Sequence, residues 1–308
     1  MRDRLRKKCS SLGRRNRLPH HSKSGSDRSV GQALSPVQPV FPQPGELEGM
    51  RMNIVENRYG KSQVRVARIV RGKDRHDFHE MTVAIALEGD FDSSYRDGDN
   101  SLVLPTDTMK NTVYALAKDP AVEQPESFAK LLASHFLSRL SHVSCVKIDI
   151  HGRLWLRDGP YSFTGGPAHR RIARIEASRD RVSVESGVAG YLVMKTTGSA
   201  FEAFLRDEHT TLPEAADRIL ATSLDAIWSG EANWDGVMKT ITDTFAAHAS
   251  KSVQHTLSAI GEAVLAQHDN IGRIRLTMPN KHYLPTGHAD VFIPTDEPHG
   301  LIEAVLSR

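Results

Sequence analysis

Several things are scarce in this 308-residue sequence, and each scarcity removes a class of protein. Only two cysteines occur, Cys9 and Cys145, which is too few for a disulfide framework or a Cys-rich metal centre and suits a reducing compartment. No stretch reaches the roughly 18–20 consecutive apolar residues needed to cross a bilayer. No charged n-region with an apolar h-region opens the chain, so the reading is a soluble, cytoplasmic protein with no membrane segment. The terminal Leu306-Ser307-Arg308 is not a Ser-Lys-Leu address. The 15 histidines show no His-Glu-x-x-His or comparable spacing, and His20-His21 fall in a polar tail, so no metal site is read. A surplus of charge is lacking too. The formal +3 comes from residues 1–50, which hold ten Lys or Arg against four acids, and the remainder carries 30 basic against 33 acidic residues. Without a basic stripe interleaved with aromatics, the body reads as no nucleic-acid binder.

What is present divides into a tail and a large folded body. Residues 1–50 pass from an Arg/Lys/Ser segment to a Pro/Gln/Val segment with no helical or strand periodicity, and read as a disordered extension. Beyond them, Val64 and Val66 alternate with polar neighbours, and Met81, Val83, Ile85 and Leu87 line one face of a second period-two run, predicting an antiparallel pair. Phe128, Leu131, Leu132, Phe136 and Leu140 recur at helical spacing behind Pro125 and Glu126, predicting a helix over 125–141. Strand-like runs return at 143–157, 171–178 and 181–195.

The second half repeats the plan. Thr211 and Glu214, with Pro213 between them, have the spacing of a capping box and predict a helix through Ile219, Leu220 and Leu224. Further helices are expected from about Asp235 and about Ser252, the last with Val253, Leu257, Ile260, Val264 and Leu265 as its buried stripe. Strand-like runs at 273–278 and 290–294 follow. Strands, helices, strands, twice over, imply an α+β fold with helices on one face of antiparallel sheets, divided as 51–180 and 181–308.

Several short peptides resemble signature segments of the urate oxidase (uricase) family. They are Tyr59-Gly60-Lys61, Pro105-Thr106-Asp107-Thr108 with Lys110-Asn111-Thr112, and Phe201 with Phe204-Leu205-Arg206-Asp207 and Thr210-Thr211-Leu212. Asp217-Arg218-Ile219-Leu220, Ser252-Val253-Gln254 and Pro279-Asn280-Lys281-His282-Tyr283 complete the set. The resemblance implies two consecutive tunnelling-fold units per chain, a homotetramer with active sites at subunit interfaces, and cofactor-independent oxidation of urate by dioxygen to 5-hydroxyisourate with release of hydrogen peroxide. One departure is the short connection from Leu284 to Asp290, where many family members carry a longer one.

Urate is a flat, electron-rich anion, and the resemblance assigns it a planar cation, an amide fork and an aromatic lid. Arg218 would grip one edge of the purine with two parallel donors and a permanent charge. Gln254 would offer a donor and an acceptor to the opposite edge. Phe201 would stack on the ring, and the backbone N–H groups of Val253 and Asp107 would finish the rim. Proton transfer falls by the same resemblance to Lys61 with Thr106, assisted by His282, while Asn280 and Thr106 would hold dioxygen or water. A Lys acts as a base only where desolvation or a neighbouring cation lowers its pKa, so a dry site is expected around Lys61.

Taken singly, these residues have plainer readings. Arg218 beside Asp217 on a predicted helix is ordinarily solvated or ion-paired, Gln254 near a helix start is ordinarily polar surface, and Phe201 is ordinarily core. Two other functions also stay open. One is another tunnelling-fold enzyme acting on a purine or pterin, although zinc-dependent relatives of that kind use Cys and His ligands and Cys145 has no Cys partner in the folded body. The other is a purine-binding protein without turnover, which would have no use for Lys61, Thr106 and His282 together.

Overall fold

Alternation at a period of two decides the architecture, because it gives each strand one apolar face and one polar face. In the computed structural model, which describes residues 53–308, ten strands form a single sheet with the order β1-β2-β3-β4-β5-β6-β7-β10, and the β8–β9 hairpin attaches to β6. The basic and Pro-rich extension expected over 1–50 lies outside the described residues.

The first half runs β1 (Tyr59–Arg71), β2 (His76–Gly89), helices α1 (Asp92–Arg96), α2 (Thr106–Leu116) and α3 (Pro125–Arg139), then β3 (Val143–Arg157) and β4 (Phe163–Ala177). The second half repeats it: β5 (Val182–Lys195), β6 (Leu220–Ser229), α4 (Trp234–Ala247), α5 (Val253–Gln267), β7 (Arg273–Thr277), the hairpin β8 (Asn280–Pro285) and β9 (Phe292–Gly300), then β10 (Glu303–Ser307). All named strand pairs are antiparallel. The helices lie on one face, as the sequence predicts.

Two apolar cores sit between that face and its helices. In the first, Met81, Val83, Ile85 and Leu87 of β2 meet Met109 and Val113 of α2 and Phe128, Leu132 and Phe136 of α3. The last three are at most 1% exposed, and burying such side chains contributes about 1.5–3 kcal/mol each. In the second, Leu224, Ala226 and Trp228 of β6 meet Val237 and Ile241 of α4 and Leu257, Ile260 and Val264 of α5. Side chains on the opposite face, such as Ala84, Ala86 and Lys147, are half-buried among the described residues. No described helix is long and apolar enough to cross a membrane.

The structure corrects the sequence reading at one place that matters for the site. Residues 211–219 form no helix, and Arg218 stands in irregular chain just before β6. Ile219, Leu220 and Leu224 satisfy a helical spacing, but Leu220, Leu224, Ala226 and Trp228 also fit a period of two, and their burial alternates along β6 accordingly. Glu214 does not close a capping box, since its carboxylate accepts from the Ala203 N–H at 3.3 Å instead. Helix α2 escapes the sequence reading, and so do β8 and β10. The signal for α2 was Pro105 ahead of Met109 and Val113, two buried residues one helical turn apart.

Candidate active site

Tyr59-Gly60-Lys61 opens β1 at one edge of the sheet. The Tyr59 hydroxyl accepts a hydrogen bond from the Leu104 N–H at 2.9 Å, and its ring meets Phe91 edge-on at 4.7 Å. Burial pushes the Tyr59 phenol above its ordinary pKa, so it remains a neutral anchor. Leu104 leads through Pro105 into α2, and the tyrosine therefore ties the strand carrying Lys61 to the helix start carrying Thr106 and Asp107. Gly60 is required by close approach: a Cβ there would stand 1.8 Å from the Ile85 carbonyl oxygen. Directly after Lys61 the register with β2 shifts, with Gln63 at φ 57°. We expect Gly60→Ala to separate β1 from β2 and cost up to about 3 kcal/mol, and Tyr59→Phe to cost about 1 kcal/mol, both readable as lowered denaturation midpoints. Unchanged midpoints would show that neither contact fixes the strand.

Thr106 and Asp107 are the first two residues of α2. The first N–H groups of a helix have no partner within it and carry a partial positive charge, which makes them natural donors to an anion. The Asp107 side chain is turned into its own helix, where it accepts from Lys110 Nζ and from Asn111 Nδ2. The Lys110 hydrogen bond holds the Asp107 carboxyl below its ordinary pKa, with a smaller contribution from the charge of Lys61. Lys110 and Asn111 belong to the quoted peptide, but their local role emerges only from the helix. Half-buried Lys61 pairs with Ile85 of β2 and so shares the face that carries the helices, near enough to the start of α2 for its charge to act on the Asp107 carboxylate.

The remaining residues gather elsewhere. Between β5 and β6 the chain makes an excursion whose base is closed by paired backbone bonds between Phe201 and Ala215, at 2.7 and 3.0 Å. The Arg218 N–H donates to the Ser199 carbonyl at 2.7 Å, and the Ala200 N–H donates to the Ser250 carbonyl at 2.8 Å. Ser250 precedes α5, whose first residues are Val253, buried, and Gln254, exposed. This backbone knot brings Phe201, Arg218 and the start of α5 together. Asn280 stands opposite Thr222 of β6, and His282 is two residues further along β8, on the same face.

Arg218 departs most sharply from its plain reading. Its guanidinium carbon lies 5.3 Å from the centroid of the Phe201 ring, and its Nε is buried with no hydrogen-bond partner among the described residues. Asp217 is not its partner. That carboxylate accepts from Thr197 Oγ1 at 2.6 Å and from the Ser199 N–H at 3.2 Å, and these bonds hold its pKa low. Burial alone pulls the Arg218 guanidinium below its ordinary pKa, a sign that the charge has lost water without gaining an acid. Since a guanidinium stays protonated in proteins, the site favours an arriving anion.

Within the chain the two groups remain apart. Lys61, Thr106 and Asp107 stand by β1, whereas Arg218 and Asn280 stand by β6, five strand intervals away in the sheet order. At about 4.8 Å per interval, this is about 24 Å along the sheet.

A family model described as Uricase matches residues 57–175 and again residues 184–303. The uricase of Aspergillus flavus is 35% identical over 288 residues, which cover 82% of this chain and 95% of that protein. The chain belongs to the uricase family. A uricase from Arabidopsis thaliana is 38% identical and covers 85% of this chain and 97% of its own length. The crystal structure of the uricase from Arthrobacter globiformis superposes with a TM-score of 0.80 at 35% identity, covering 84% of this chain and 96% of that one. The uricase fold, α+β with two consecutive tunnelling-fold units, is therefore the fold of this chain.

Proposed function

We propose that this chain oxidises urate with dioxygen to 5-hydroxyisourate and hydrogen peroxide, in the cytoplasm, at sites completed by a second copy of the chain in a homotetramer. The observation that carries the reading is Arg218, a half-buried cation with no carboxylate partner among the described residues, standing beside the half-buried aromatic ring of Phe201. An anionic, planar ligand answers both features at once: the fork takes one edge of the purine and the ring takes its face. Gln254 reads the opposite edge from the exposed start of α5, beside the Val253 N–H. The Asp107 N–H, at the second position of α2 with no partner within the helix, supplies the rest of the rim from the partner chain.

Urate's own π-system supplies the two electrons, so the protein is left with the protons and the placement of dioxygen. Lys61, relayed through Thr106 and assisted by His282, removes the proton. Dioxygen adds at C5 as a peroxide, and water, held by Asn280 and Thr106, displaces that peroxide, so that urate, dioxygen and water become 5-hydroxyisourate and hydrogen peroxide. Closure of the site by a second chain would exclude water from Lys61, the condition for a lysine base.

The test follows urate's near-ultraviolet absorbance, dioxygen and peroxide together, with and without a chelator. The expected result is one dioxygen consumed and one peroxide formed per urate, at the same rate in both cases. Activity lost on chelation and restored by a metal would overturn the cofactor-independent reading. Failure to consume urate at all would return the function to a pterin or another purine.

A further inference from the structure

Between Phe201 and Ala215 the excursion holds a second aromatic ring that none of the assigned roles uses. The rings of Phe201 and Phe204 lie face to face, 4.9 Å between centroids and 12° from parallel. The guanidinium carbon of Arg206 lies over the Phe204 ring at 4.7 Å, and that of Arg218 lies 5.3 Å from the Phe201 ring. The two rings and the two guanidinium groups thus pack as one cluster. Residues three apart in irregular chain have no intrinsic reason to stack, and the backbone shows what brings them together.

Ala203 has φ 55°, in the left-handed region where an L-residue with a Cβ pays a conformational cost. The conformation persists because its surroundings hold it. The Ala203 N–H donates to Glu214 Oε1 at 3.3 Å, the same oxygen lies 3.8 Å from Arg206, and Arg206 also donates to the Leu212 carbonyl at 3.4 Å. Asp207 then reverses the chain, accepting from the Thr210 hydroxyl at 2.8 Å and the His209 N–H at 3.0 Å. Strain kept at such a turn, with its supports invested in one carboxylate, marks a position under functional demand.

We propose that Phe204 is a positioning residue for Phe201: the left-handed turn at Ala203, pinned by Glu214, sets Phe204 as a backing plate that fixes the tilt of the Phe201 ring before a flat substrate stacks on it. A phenylalanine on an exposed excursion otherwise rotates about two side-chain bonds, and freezing those rotations ahead of binding removes an ordering cost from the binding step. Arg206 serves the same end from the far side of Phe204, through its cation–π contact and its tie to Glu214. This rests on the reading of Phe201 as the ring that stacks on urate.

The experiment measures equilibrium binding of urate under dinitrogen, where turnover is impossible, by calorimetry on the full chain. Phe204→Leu should weaken urate binding about tenfold, the worth of one well-made aromatic contact, while Phe204→Tyr should bind within about twofold of the unaltered protein. Glu214→Ala touches neither ring and frees the turn at Ala203, and it should weaken binding about threefold. Because Phe204 acts through Phe201, the double variant Phe201→Leu/Phe204→Leu should bind no more weakly than Phe201→Leu alone, a non-additivity that a general loss of structure would not produce. Unchanged binding in Phe204→Leu, no recovery in Phe204→Tyr, or additive losses in the double variant would overturn the proposal and leave the reading of the site intact. Absence of urate binding by the unaltered protein would instead remove that reading, and the proposal with it.

Discussion

Replacing Arg218 by lysine should weaken urate binding by about 100-fold, whereas Lys61→Met should lower kcat by about 10²–10⁴ with a much smaller effect on KM. The two effects differ because the two cations do different things. Arg218 has no carboxylate partner among the described residues and stands beside Phe201, and its fork can give two parallel hydrogen bonds to the edge of an anion. An ammonium in the same place keeps the charge but loses the second bond and the plane, and a charge-assisted hydrogen bond of this kind contributes about 1.5–3 kcal/mol. In the proposed reaction Lys61 moves a proton, so its loss should leave urate able to bind and slow to react. Steady-state kinetics on both variants checks the split. If Lys61→Met raised KM and left kcat unchanged, Lys61 would be a binding residue and the base would have to be sought elsewhere.

The legible parts of the chain were those where burial follows a strict period. Met81, Val83, Ile85 and Leu87 announce a half-buried strand, and Phe128, Leu132 and Phe136 announce a helix packed on it, so β1, β2, α3 and β3 could be read while α2 could not. The excursion from 199 to 219 could not be read this way. Its shape comes from long-range backbone bonds between Phe201 and Ala215 and between Ala200 and Ser250, and from side chains such as Glu214 and Asp217 that satisfy distant N–H groups. A local window sees Thr211 and Glu214 at capping-box spacing and predicts a helix there. The same limit applied to Arg218: neighbouring Asp217 looked like its ion-pair partner, and only the hydrogen bonds from Thr197 and Ser199 show that the carboxylate is engaged elsewhere.

Identity was legible for a different reason. The quoted peptides are the places where local physics allows little choice, such as Gly60 against the Ile85 carbonyl and the start of α2 at Thr106. Their grouping in space was not legible. Strand order alone puts Lys61 on one edge of the sheet and Arg218 next to a strand five intervals away, although both are assigned to one reaction.

That separation leads to the central claim, that each site draws Lys61 and Thr106 from one chain and Phe201, Arg218, Gln254, Asn280 and His282 from another. In an isologous pair each interface holds two equivalent sites, each taking Lys61 from one partner and Arg218 from the other. The most direct measurement is the urate oxidase activity of co-expressed Lys61→Met and Arg218→Ala chains, compared with each variant alone. A mixed pair carries one doubly damaged site and one intact site, and random pairing makes roughly half of all pairs mixed, so about a quarter of the unaltered activity should return from two nearly inactive parents. Activity no greater than the residual level of the parents would contradict the shared site and require both groups to meet within one chain.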